Sequence, residues 1–235
     1  MTDSVRAIIE EVDKFNDNHQ DKQAYDRLKK AIDGGMKETE LYWRLARACR
    51  GMALLPETKD LQERKNYFEE GMSAAKAGMA INDNDPKCNS WYAICLNYRS
   101  KSDGVDQRIK NSYIMRDHWL KALRVEPTDF ATLHSMGVWC YTVTSLPWIK
   151  RQFAKTFFTT PPESTYEESL RYLLESEKYS PQFYADNAFH IAKCYAALKQ
   201  NEEAKTYYQK VLDCQDTDQE TMEAKKEAEV LIKKL

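Results

Sequence analysis

Glycine is scarce in this chain, with seven in 235 residues. Phosphate-cradling loops need backbone N–H groups bared by glycine, and no Walker loop and no G-x-G-x-x-G is present, which argues against that class of nucleotide site. Histidine is scarcer still. His19, His118, His134 and His190 show no H-E-x-x-H or other metal-ligand spacing, and G-x-S-x-G is also missing. No catalytic residue, metal site or cofactor is expected. None of the six cysteines forms a C-x-x-C pair, the usage of a reduced cytosolic protein. From Met1 to Lys14 charges interrupt every apolar step, so neither a signal peptide nor a transmembrane helix is expected. A net charge of −2 gives no general attraction to nucleic acid or an anionic membrane, so an acidic partner needs a local basic patch.

What the chain does have is one helical signature written four times. Large, large, small and large residues at offsets of none, three, four and seven share a helix stripe, and the small member admits a second helix. The third copy is the clearest: Leu133-x2-Met136-Gly137-x2-Cys140, then Ser169-x3-Leu173-x2-Ser176-x4-Pro181. Tyr42-x2-Leu45-Ala46-x2-Cys49 with Gly71-x3-Ala75-x2-Gly78 is the first. Trp91-x2-Ile94-Cys95-x2-Tyr98 with Met115-x3-Trp119-x2-Ala122-x4-Pro127 is the second, and Ala188-x2-Ile191-Ala192-x2-Tyr195 with Ala204-x3-Tyr208-x2-Val211 the fourth. This is the grammar of tetratricopeptide repeats, which bind in grooves and seldom do chemistry.

The expected fold is all-α: a single domain over 1–235, a solenoid of helical hairpins with repeats at 39–85, 88–129, 130–183 and 185–217. A divergent first hairpin occupies 1–35, with Val5, Ile8, Ile9, Val12 and Phe15 on one helix, then Ala24, Leu28 and Ala31 on a second ending at Gly34-Gly35. Residues 218–235 form a capping helix with Met222, Ala224, Ala228, Leu231 and Leu235 on its stripe. An insertion at 143–163 holds a short amphipathic helix started at Pro147, carrying Trp148, Lys150, Arg151 and Lys155 as a secondary contact surface, or else plugging the array. Ser164 with Glu167 offers a capping box for the helix that follows.

Residues one, five and eight after each signature start lie roughly 80° to 140° around the first helix of the hairpin. That stripe holds Trp43, Arg47 and Arg50, then Tyr92, Leu96 and Arg99, then His134, Val138 and Tyr141, then Phe189 and Lys193. The expected groove is aromatic with a cationic lining, suited to an acidic extended peptide. The competing reading makes Arg44, Arg47 and Arg50 a solvated face and Trp43 and Tyr92 core.

Several strings are more specific than the repeat. Leu41-Tyr-Trp-Arg-Leu-Ala-Arg-Ala48, Trp91-Tyr-Ala-Ile-Cys-Leu96, His134-Ser-Met-Gly-Val-Trp-Cys-Tyr141, Leu146-Pro-Trp148 and Thr160-Pro-Pro-Glu-Ser-Thr-Tyr-Glu167 resemble the regulator of microtubule dynamics family, from about Val12 to the final cap. The resemblance implies a non-catalytic tetratricopeptide-like protein of cytoplasm, cytoskeleton, spindle and spindle pole, with tubulin and microtubules as partners and a part in chromosome segregation. Some relatives carry a membrane anchor and are thought to bind phospholipid. This chain begins almost at its first hairpin, so the expected form is soluble. The alternatives are a phospholipid-binding or transfer module and a peptide-binding adaptor.

Overall fold

The computed structural model describes residues 2–145, 162–180 and 184–235. These residues form helices and their connections, in two compact units, 1–125 and 126–235. Among the described residues no helix is long and apolar enough to cross a membrane.

The first unit is three hairpins: α1 (Asp3–Asp17) with α2 (Asp21–Asp33), α3 (Thr39–Leu54) with α4 (Leu61–Ile81), and α5 (Pro86–Arg99) with α6 (Val105–Val125). Thr2 caps α1 by accepting from the Val5 N–H, and α2 stops at Gly34, with Gly35 at φ 94°, where a side chain would be strained. Val5, Ile8, Val12, Ala24, Leu28 and Ala31 bury against Leu41, Tyr42, Leu45 and Cys49 of α3. Each buried valine, leucine or isoleucine among them contributes roughly 1.5–3 kcal/mol, and each alanine less. The small residues set the approach of neighbouring helices. A Cβ on Gly71 of α4 would lie 2.8 Å from the Cys95 sulfur of α5 and 3.2 Å from Cys49 Cβ of α3.

The second unit pairs α7 (Phe130–Ser145) with α8 (Tyr166–Tyr179) and α9 (Ala185–Ala197) with α10 (Asn201–Asp213), then adds α11 (Gln219–Leu231). Gly137 brings α7 onto α8, where the Ser169 hydroxyl donates to the Gly137 carbonyl at 2.7 Å and Leu173 is fully buried. Ala188 and Ala192 of α9 meet Ala204, Tyr208 and Val211 of α10 and Ala224 and Ala228 of α11 in one core. Among the described residues the repeat stripes of the first, third and fourth copies therefore lie inside, Tyr195 only partly so, as the spacing predicts.

Three local expectations are corrected. The cap of α8 is Thr165, whose hydroxyl accepts from the Glu168 N–H at 3.1 Å, and Ser164 instead donates to the Glu168 carboxylate. Met222 is 40 % exposed, because one position away Thr221 fills the inner stripe of α11. The second copy is phased differently. The spacing predicts a start at Trp91, but Cys88 and Cys95 point at Gly78 and Gly71 of α4, while Asn89 and Tyr92 meet His118 of α6. That packing corresponds to Asn89-x2-Tyr92-Ala93-x2-Leu96, two residues earlier.

Candidate functional site

In the first unit α3 presents Trp43, Arg44, Arg47 and Arg50, and α1 answers with Asp13. Arg44 donates to both Asp13 oxygens, from Nε at 2.9 Å and Nη2 at 2.7 Å, and Arg47 donates to Oδ1 at 2.9 Å. Glu40 takes the Trp43 indole N–H at 3.0 Å and a further bond from Arg44. Both guanidinium groups lie over the Trp43 ring, at 4.1 and 5.1 Å from its centre. Burial pushes the Asp13 carboxyl up, but the two arginines pull it below its ordinary value overall. Arg44 is 7 % exposed, so the solvated-face reading fails for it: burial of that cation is compensated by Asp13 and Glu40. Arg50 turns the other way, donating to the Tyr98 hydroxyl at 2.7 Å and lying over its ring, where Lys101 also sits at 4.4 Å. Arg50, Tyr98 and Lys101 thus form a cationic aromatic cluster that no spacing rule had assembled.

Tyr92 and Arg99 are not brought to this cluster's stripe. With the two-residue change of phase, Tyr92, Leu96 and Arg99 face α4 and α6 and line an open pocket of about 490 Å³ with Glu69, Met72, Asp103, Gln107, Asn111 and Ile114. Arg99 is held there by Glu69 at 3.3 Å and by Asp103. Two carboxylates on one guanidinium leave no surplus positive charge for a phosphate headgroup, so this pocket lends no support to a phospholipid site.

The second unit gathers its expected residues. His134 and Tyr141 of α7 face Phe189 and Lys193 of α9, and three residues absent from the spacing argument join them: Asp186, Asn187 and His190. His134 Nε2 lies 3.1 Å from Asp186 Oδ2, and His190 Nδ1 3.4 Å from Asp186 Oδ1 and 2.9 Å from the Asp186 carbonyl. Asn187 donates its amide to the Leu173 carbonyl at 3.0 Å, so its oxygen faces His134 Nδ1 at 3.0 Å and can only accept. Both ring nitrogens of His134 thus face acceptor oxygens, Asn187's at Nδ1 and Asp186's at Nε2. Burial raises the Asp186 carboxyl, yet His190 and His134 hold it well below the ordinary carboxylate range.

Lys193 lies over the rings of Tyr141 at 4.7 Å and Phe189 at 5.0 Å. Among the described residues no carboxylate pairs with it. Phe189 itself is 4 % exposed and packs on Tyr208, so it is a wall rather than a contact arm. Trp148, Lys150, Arg151 and Lys155 lie outside the described residues. The Asp186–His190 pair was legible as an i, i+4 spacing on one helix. Its union with His134, more than fifty positions earlier, had no local signal.

The comparisons with known proteins agree with one another. A family described as "Regulator of microtubule dynamics protein 1-3" matches residues 8–235. A curated relative from Pongo abelii, regulator of microtubule dynamics protein 1, is 34% identical over 231 residues, covering 98% of this chain and 73% of its own length. The protein of that name from Bos taurus is 33% identical over 229 residues, 97% of this chain and 71% of the relative. Among solved structures, a thermophilic TPR protein of Thermus thermophilus superposes with a TM-score of 0.64 at 11% identity, covering 96% of this chain and 98% of that one. At that identity the likeness speaks for an all-α tetratricopeptide-like fold and nothing further.

Proposed function

This chain belongs to the regulator of microtubule dynamics family, and we propose that it acts by binding, receiving the acidic tails of tubulin on the faces shared by its first-of-hairpin helices. The observation that carries this reading is Lys193, a cation supported by two aromatic faces and without a carboxylate partner among the described residues. A cation over aromatic faces is held in place, and an incoming carboxylate gains its charge without displacing an internal anion. Arg50 and Lys101 also set cations over an aromatic ring, that of Tyr98, in the first unit, with Asp21 acting on Arg50. Arg44 and Arg47 serve a different end, since Asp13 and Glu40 already pair with them. Tail binding of this kind fits a role on microtubules of the spindle and in chromosome segregation.

Each contact is weak alone, and a polymer presenting many tails raises the effective concentration of the next. The test is co-sedimentation with intact and with tail-cleaved microtubules. Pelleting should fall on cleavage and again as salt shortens the Debye length. Equal pelleting on cleaved filaments would move the contact to the filament body and end the tail reading.

A further inference from the structure

His190 presents an unused outward nitrogen on the second unit's face among the described residues. Its Nδ1 is committed to Asp186, donating to the carbonyl at 2.9 Å and lying 3.4 Å from Oδ1. Among the described residues its Nε2 makes no hydrogen bond. The ring flanks the same two aromatic side chains as Lys193, with centroids 6.2 Å from Tyr141 and 5.6 Å from Phe189. It stands three residues before Lys193 on α9, and residues at that spacing are neighbours on a helix surface. A cation and an imidazole therefore border one aromatic floor.

The tautomer decides what this pair can bind. Neutral His190 keeps its proton on Nδ1, which leaves a lone pair on Nε2 that repels a carboxylate. A second proton turns Nε2 into a charged donor beside Lys193. We propose that His190 and Lys193 form a proton-linked carboxylate site, at which an acidic peptide segment binds together with uptake of one proton by His190. The proposal rests on the reading that this face receives an acidic chain, and it adds how that affinity is regulated.

The surrounding charges fit a single uptake. Asp186 on α9 lies against Nδ1 of His190, while His134 on α7 is already satisfied on both nitrogens by Asn187 and Asp186. Tyr141 on α7 and Tyr184 ahead of α9, whose ring is tilted against His134 at 4.7 Å, also border the cluster. Burial raises the Tyr141 hydroxyl to about 12. Glu227 on α11 acts on Tyr141 as a further negative charge. His190 is thus the imidazole of this face whose outer nitrogen is left to take up the proton as the ligand arrives.

The experiment is a titration of the full chain with an N-acetylated octaglutamate peptide between about pH 5.5 and 8, the peptide staying ionised throughout. Affinity should rise as pH falls, with a limiting slope of about tenfold per pH unit for one proton taken up. His190→Gln should flatten the slope, and Lys193→Gln should weaken binding at every pH while keeping it. Circular dichroism checks that both variants fold. A flat wild-type profile, an unchanged slope in H190Q, or no octaglutamate binding at any pH overturns the proposal. Because the tail reading is tested separately on cleaved microtubules, a flat slope with tail-dependent pelleting removes the proton linkage alone.

Discussion

At the scale of single residues, arginines on neighbouring turns of one helix do unlike work. Arg44 and Arg47 are bound to Asp13, whereas Arg50 reaches Tyr98. Replacing Arg44 by Ala removes several charge-assisted bonds and leaves Asp13 partly desolvated, so unfolding in urea should show a loss of about 2 kcal/mol. Asp13→Asn tests the same network by pH. Because the folded carboxyl lies below its ordinary value of 3.8, its stabilisation is present above that value and is lost as pH falls below it. The gap between wild type and D13N, measured by urea unfolding, should therefore be full at neutral pH and shrink towards zero well below pH 3.8. Charge reversal at Arg47 sets a second carboxylate beside Asp13, and weaker pelleting in that variant reports on the hairpin as much as on a ligand. Lys193→Glu is the cleaner variant, expected to weaken pelleting with a helical spectrum unchanged, whereas Arg50→Glu sets a new carboxylate near Asp21.

At the scale of the helix, the close approach of α7 and α8 depends on Gly137. A Cβ there would fall 2.5 Å from Leu173 Cγ, a side chain with no free space around it. Gly137→Ala should cost about 1–3 kcal/mol in urea unfolding, overpacking outweighing the better helix propensity of alanine. Helix phase was legible in the sequence wherever one face meets water. Along α10, Ala204, Tyr208 and Val211 stand out from charged neighbours, and the structure buries those three. α5 offers no such contrast. Cys88, Asn89, Ser90, Tyr92, Ala93, Ile94, Cys95 and Leu96 are all buried, so two registers satisfy the large–large–small–large rule and only tertiary contacts choose between them. The positions of Tyr92 and Arg99 were misjudged for that reason. The stripe holding His134, Tyr141, Phe189 and Lys193 was legible because Gly137 and Ala192 fix the registers of α7 and α9. Asp186 was missed because a carboxylate near a helix start reads first as a partner for the helix dipole.

For the whole molecule, two units with separate cores should lose protection separately. Hydrogen exchange on Gly137→Ala is expected to speed amides of α7 and α8 while those of α1 to α4 keep wild-type rates. Uniform acceleration along the chain would instead mean one cooperative unit. The helix seams also sort the thiols. Cys49, Cys88, Cys95, Cys140 and Cys194 are buried, and Cys214 alone is partly open to solvent. Burial raises each of the five, which starves them of thiolate. A maleimide dye at neutral pH should therefore couple once, after α10, which intact-mass measurement would verify. The natural chain already carries its own attachment point for following single molecules along a filament.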